Sequence, residues 1–263
     1  MHNLDFAVLF FLIAGAAASA HWRKLTPAAA ATGAVCGWAV YVGDGLRGLS
    51  LLALFFVIGT TATSWRKKEK LGIRGAAAHQ STRRSSQVIA NGGIAAIAGL
   101  LILFFPANRQ VFSLMLAASL SSATADTLAS ELGMVYGRRF FNILTGKPDE
   151  RGLDGVISLE GLFLGVVGSA LVATVFLIVP AHPAAVFAII PLPPGQHAPI
   201  VSHSQAFLIL VVAGTLGNLA DSLLGAVFER RGLLTTDLVN FLHVLIAAIT
   251  AAALTAPLPL VSG

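Results

Sequence analysis

The stretch ATADTLASELG (residues 123–133) ends a hydrophobic run and places two acids, Asp126 and Glu131, at its edge. Charge in or beside a bilayer is costly, so acids there mark function by default. The rest of the chain argues that a bilayer is present. Of 263 residues, 56% are hydrophobic and 11% charged, with 26 glycines, and the mean hydropathy is +0.82. That composition excludes an ordinary soluble domain and predicts an all-α, polytopic integral membrane protein.

A spanning helix needs roughly 20 mostly apolar residues. Eight segments qualify, at 4–20, 25–42, 49–65, 88–105, 111–125, 155–180, 206–228 and 238–258. The second and third have the weakest hydropathy, because alanine and glycine dominate them. AAASA before His21 is similar to a signal-peptide cleavage site, but MHNLDF ahead of it lacks a basic n-region, so the segment is expected to stay as a helix. The whole chain, 1–263, reads as one transmembrane domain with a basic loop at 65–87 and a second loop at 138–157. Cys36 is the only cysteine, which excludes an intrachain disulfide and a cysteine-rich metal site.

Basic residues set the orientation. With the N-terminus outside, 15 of the 17 lysines and arginines fall in cytoplasmic loops, and only Arg47 and Arg109 fall outside. Eight spans and this asymmetry support each other. The long outer segment at 181–204 carries no lysine, arginine or acid, and its prolines predict an irregular cap or a short re-entrant piece. The expected location is the inner membrane of a bacterium, with the active site facing the cytoplasm.

The polar residues collect at that same face. Asp126, Ser130, Gly133 and Gly137 follow at +4, +7 and +11, one stripe of a continuous helix. Glu131 stands about 140° around from Asp126, so both acids reach one metal only if the helix breaks. A second stretch, NLADSLLGAVFERRG (residues 218–232), repeats Ala-Asp-Ser/Thr-Leu and again runs on to an Arg-Arg pair. Asp126 and Asp221 are 95 residues apart and both precede a cytoplasmic loop, which suggests a weak internal repeat. Gly217, Asn218, Asp221 and Gly225 share one face of that helix.

Arg84, Gln87 and Asn91 follow at i, i+3 and i+7, and Asn240 opens the last span. His243, one turn further, reads as a hydrogen-bonded core histidine. The loop at 138–157 adds Arg138, Arg139 and Lys147, and the turn Ser158-Leu159-Glu160-Gly161 follows it. Carboxylates with many cations and glycine backbones suit a magnesium–polyphosphate ligand. The duller readings are helix packing for the glycines and topology alone for the basic loop.

The order Asp126-Thr-Leu-Ala-Ser-Glu-Leu-Gly133, Gly137-Arg-Arg139 and Ser158-Leu-Glu-Gly161 resembles the membrane CTP-dependent lipid kinases, dolichol kinase and phytol kinase. A closer resemblance runs over nearly the whole chain. LGIRG, RRSSQVIANGG, ADTLASELG, GVISLEG, GNLADSLLGA and DLVNFLH are similar to segments of the integral-membrane family that includes plant phytyl-phosphate kinase. That resemblance implies phosphorylation of an isoprenoid monophosphate, phytyl or geranylgeranyl, to the diphosphate, with CTP the expected donor. His243 stands where the resemblance leads one to expect an amide, and Glu150 and Asp154 stand where glycine and proline are usual.

The expected assignment puts Mg2+ on Asp126 and Asp221, with these two and Arg139 as the catalytic set. Arg84, Gln87, Asn91, Ser130, Glu131, Arg138, Lys147, Ser158, Glu160, Gly161, Asn218 and Asn240 are expected to bind nucleotide and lipid phosphate. The partners are then a nucleoside triphosphate, an isoprenoid phosphate and the bilayer; a homodimer stays open, and no nucleic acid is expected. A polyprenol kinase, a CDP-lipid cytidylyltransferase and a transporter of a small anion or lipid phosphate stay open as alternatives.

Overall fold

The computed structural model describes residues 3–73, 82–181 and 201–255. Among them the chain is helical nearly throughout: α1 (Asn3–His21), α2 (Pro27–Ser64), α3 (Lys67–Lys70), α4 (Ser85–Phe104), α5 (Arg109–Tyr136), α6 (Leu159–Ile178), α7 (His203–Leu224) and α8 (Thr236–Thr255). All but α3 are long and apolar enough to cross a membrane. This is an all-α polytopic membrane protein, as the composition predicts.

The two weak spans merge into the single 38-residue α2, yet α2 is a hairpin. Gly45 takes φ 66° and ψ −146°, a left-handed conformation that glycine adopts without strain. On either side of it the chain doubles back. A Cβ on Gly37 would stand 3.7 Å from Leu52, Phe56 packs on Ala29 and Ala30, and Lys24 Nζ donates to Ser64 Oγ at 3.3 Å. Residues 27–44 and 46–64 are therefore two antiparallel limbs, and the described residues make eight passes.

Local sequence sets the helix ends. Thr26 caps α2 by accepting from the Ala29 N–H at 3.2 Å, with Pro27 in the first turn. Ser202 and Gln205 form a reciprocal capping box on α7. The fifth span runs unbroken through the acidic motif to Tyr136, the continuous helix that the stripe requires. One expected boundary moves. The sixth starts at Leu159 rather than 155, because Gly155 has φ 73° and Val156–Ile157 pairs antiparallel with Phe141–Asn142 as a two-residue ladder. Most of the proline-containing segment at 181–204, and the end of the last span beyond 255, lie outside the described residues.

The α5 helix is the axis of the bundle and the most buried of the spans, whereas α1 is the least buried. Leu114, Leu116 and Leu120 of α5 meet Val172 of α6, Leu210 of α7 and Val244 of α8 in one continuous core. Phe10, Phe104, Phe163 and Ile178 point outward and are exposed, as lipid-facing side chains would be.

Candidate functional site

The site exists because α5 and α7 run parallel and almost touch. Ser121 Oγ donates to Leu210 O at 3.1 Å, and a Cβ on Gly214 would stand 2.2 Å from Ser121 Oγ. One turn on, a Cβ on Gly217 would stand 2.1 Å from Ser122 Oγ. Only glycine allows this approach. The two helices thus travel in register, and each delivers its Ala-Asp-Leu-type segment at the same depth.

There Asp126, Asp221 and His243 each present one ligand atom, and the three atoms lie within 4.8 Å of one another. His243, on α8, is fully buried. Its Nδ1 is 2.7 Å from Ser122 Oγ, and its Nε2 is 3.8 Å from Asp221 Oδ1. Two carboxylates in a low-dielectric interior repel strongly, and a cation between them removes the repulsion. The donor set is thus two carboxylate oxygens and one imidazole nitrogen, which fits a divalent ion.

Asp126 also lies at the polar end of a cavity of about 330 Å³. Ser130, Arg83, Gln87, Asn91 and Asn240 line that end. The remainder is apolar, walled by Phe11 and Leu12 of α1, Ala30 and Gly33 of the first α2 limb, and Leu52 and Phe56 of the second.

Glu131 borders the cavity but turns from Asp126. The helix does not break, so the two acids stay on different faces, and Glu131 Oε2 meets Lys70 Nζ at 2.6 Å. Lys70 is 1% exposed and also donates to the carbonyls of Ala62 and Thr63, at 2.9 and 3.1 Å. The basic loop is thereby pinned to α5. Arg83 forms a parallel backbone bridge with Leu25, donating its N–H to Lys24 O at 3.2 Å while its own carbonyl accepts from the Thr26 N–H. Burial lowers the pKa of the Arg83 guanidinium, and the Glu131 carboxylate opposes that shift.

The other expected residues divide by place. Gln87, Asn91, Ser130 and Asn240 meet at the cavity with Asp126. Arg84 is exposed at the start of α4, and the neighbouring Arg83 faces the cavity instead. Arg138, Arg139 and Lys147 are exposed on the loop at 138–157, where the Arg138 N–H donates to Glu160 Oε2 at 3.4 Å. Ser158 caps α6 by accepting from the Gly161 N–H at 3.1 Å. Gly161 packs against Gly133 and Ala129, and Asn218 lies against Gly165 of α6, so both sit in helix crossings. Gly155 brings the loop onto Ala226 at the end of α7.

Sequence reasoning missed four groups. Lys70 and Arg83 are indistinguishable in the sequence from the exposed cations around them. Asp44 and Arg47 had a signal, an i,i+3 pair between apolar runs. Asp44 is fully buried at the α2 turn, gripped by Arg47 at 2.8 and 2.9 Å and by Ser113 Oγ at 2.8 Å.

Fold and site together define a polytopic helical membrane protein with a paired-aspartate centre, one member of which, Asp126, also lines a largely apolar cavity. The chain belongs to the family described as integral membrane protein DUF92, whose model matches residues 9–248. This bears out the family-level resemblance drawn from the motifs. It is 28% identical over 220 residues to protein VTE6, chloroplastic, of Arabidopsis thaliana, covering 81% of this chain and 59% of that protein. An uncharacterized membrane protein of Methanocaldococcus jannaschii is 27% identical over 82% of this chain and 79% of its own. One from Synechocystis is 27% identical over 93% and 88%. This chain therefore spans about three fifths of the plant relative's length. No solved structure matches it.

Proposed function

We propose that the protein is a membrane kinase that converts an isoprenoid monophosphate into the diphosphate, using a nucleoside triphosphate with CTP the expected donor. The observation that carries this reading is that Asp126, one member of the clustered acid pair, stands at the polar end of a cavity whose remainder is apolar. A phosphate ester with a long hydrocarbon tail has that same division. Its tail would lie along α1 and the α2 limbs, and α1, the least buried helix, gives the shortest way in from lipid.

A phosphate oxygen of the acceptor attacks the γ-phosphorus, the bond to the bridging oxygen breaks, and the nucleoside diphosphate leaves. A phosphomonoester is already anionic, so positioning and charge neutralisation carry the catalysis. A divalent ion on Asp126 and Asp221 would neutralise phosphate oxygens. Arg83 is the cavity's own cation, Gln87, Asn91 and Asn240 offer amides to the phosphates, and Arg138, Arg139 and Lys147 supply further charge from the loop. The expected orientation turns this end to the cytoplasm, where nucleotide is available.

The test is purified protein with CTP, a divalent cation and phytyl or geranylgeranyl phosphate. Diphosphate product with release of CDP is expected. Pyrophosphate release would instead indicate cytidylyl transfer, and no turnover with any nucleotide or chain length would overturn the proposal.

A further inference from the structure

We infer that His243 is the third protein ligand of the ion held by Asp126 and Asp221, and that it makes the site favour a nitrogen-accepting divalent ion such as Mn2+ over Mg2+. This rests on the acid pair being a cation site.

The evidence is an orphaned atom. His243 is fully buried, and its Nε2 has no hydrogen-bond partner. Buried polar atoms are nearly always satisfied, so such an atom asks for a missing partner. Here the unpartnered nitrogen faces Asp221 Oδ1 at 3.8 Å, inside the three-atom group that spans at most 4.8 Å. Bonds of about 2.1 Å to one ion place ligand atoms about 3 Å apart when adjacent and about 4.2 Å when opposite. The group therefore needs only a small contraction.

The other ring nitrogen is already used as a metal-bound histidine uses it. Nδ1 lies 2.7 Å from Ser122 Oγ. When Nδ1–H donates to that hydroxyl, Nε2 carries its lone pair toward the carboxylates. Ser122 is fixed in turn, because Gly217 is pressed against it. The same close helix crossing thus sets both the acid pair and the ring.

The choice of ion follows from the donors. Mg2+ prefers oxygen and gives up water reluctantly. First-row transition ions accept imidazole, with affinity rising from Mn2+ upward. An oxygen–oxygen–nitrogen set inside a bundle selects against Mg2+ by the one donor that Mg2+ values least.

The test is spectroscopic and needs no turnover. Mn2+ is added to protein labelled with 15N-histidine, and electron spin-echo modulation reports any directly bound nitrogen. A 15N coupling in the wild type, absent in His243→Asn, is expected. Mn2+ affinity should fall at least tenfold in that variant, while Mg2+ affinity stays within about threefold. Mn2+ binding without nitrogen coupling overturns the role of His243 and leaves the acid pair standing. No ion binding at all overturns both. A wild-type spectrum without nitrogen coupling overturns the inference whether or not the variant folds.

Discussion

Gly217→Ala is the sharpest perturbation of the helix crossing that creates the site. The new Cβ would stand 2.1 Å from Ser122 Oγ, 2.8 Å from Ser122 Cβ and 3.0 Å from Ala247 Cβ. Ordinary contact begins at 3.4 Å, so α7 must retreat from α5 by about 1.3 Å, with Ala247 limiting movement on another side. Overpacking of this kind costs roughly 1–3 kcal/mol, which leaves most molecules folded. Function should suffer far more. A misplacement of about 1 Å costs on the order of 100-fold in rate, and the same shift separates Asp126 from Asp221. The assay pairs thermal unfolding in detergent with ion affinity and turnover. The expected result is a modest fall in Tm, with losses of roughly tenfold or more in affinity and about 100-fold in rate. Gly33→Ala, whose Cβ meets nothing within 4 Å, is the control for stability. A Gly217→Ala protein that loses Tm but keeps both affinity and rate would refute the reasoning.

Further outcomes follow from other contacts. Lys70→Met strips the buried Glu131 of its ammonium and should destabilise by about 3–5 kcal/mol, while Lys70→Met with Glu131→Leu should recover most of that; additive losses in thermal unfolding would contradict the pairing. Gly33→Phe fills the apolar part of the cavity, so the longest accepted prenyl chain should shorten in a product profile while unfolding stays near wild type. The Glu150 N–H and then Arg230 hold the Asp149 carboxyl below its usual range. A lowered folded pKa means that its stabilising effect is present above the ordinary aspartate range and fades as pH falls through the folded value. Hydrogen exchange across 141–157 should therefore quicken on acidification below about pH 4, and Asp149→Asn should remove that step.

Much of this was legible because helical spacing and hydropathy are local properties. Eight passes, the α5 stripe and the repeated Ala-Asp segment follow from counting along the chain. The stripe also shows where counting stops. Asp126 and Ser130 face the cavity, but Gly133, two turns deeper on the same face, meets Gly161 at the start of α6. The face was right and the neighbour changed with depth. Arg83 and Lys70 were hidden among surface cations, since only tertiary contact distinguishes them. His243 looked like a core residue, and one of its nitrogens is bonded as such. Its other nitrogen shows its purpose only once Asp221 is beside it.

In the proposed mechanism Asp126 and Asp221 act together on one cation. A calorimetric titration of the purified protein with Mg2+ and with Mn2+ tests this most directly. One ion per chain is predicted, with either Asp126→Asn or Asp221→Asn abolishing its binding. Undiminished binding in both variants would contradict the claim.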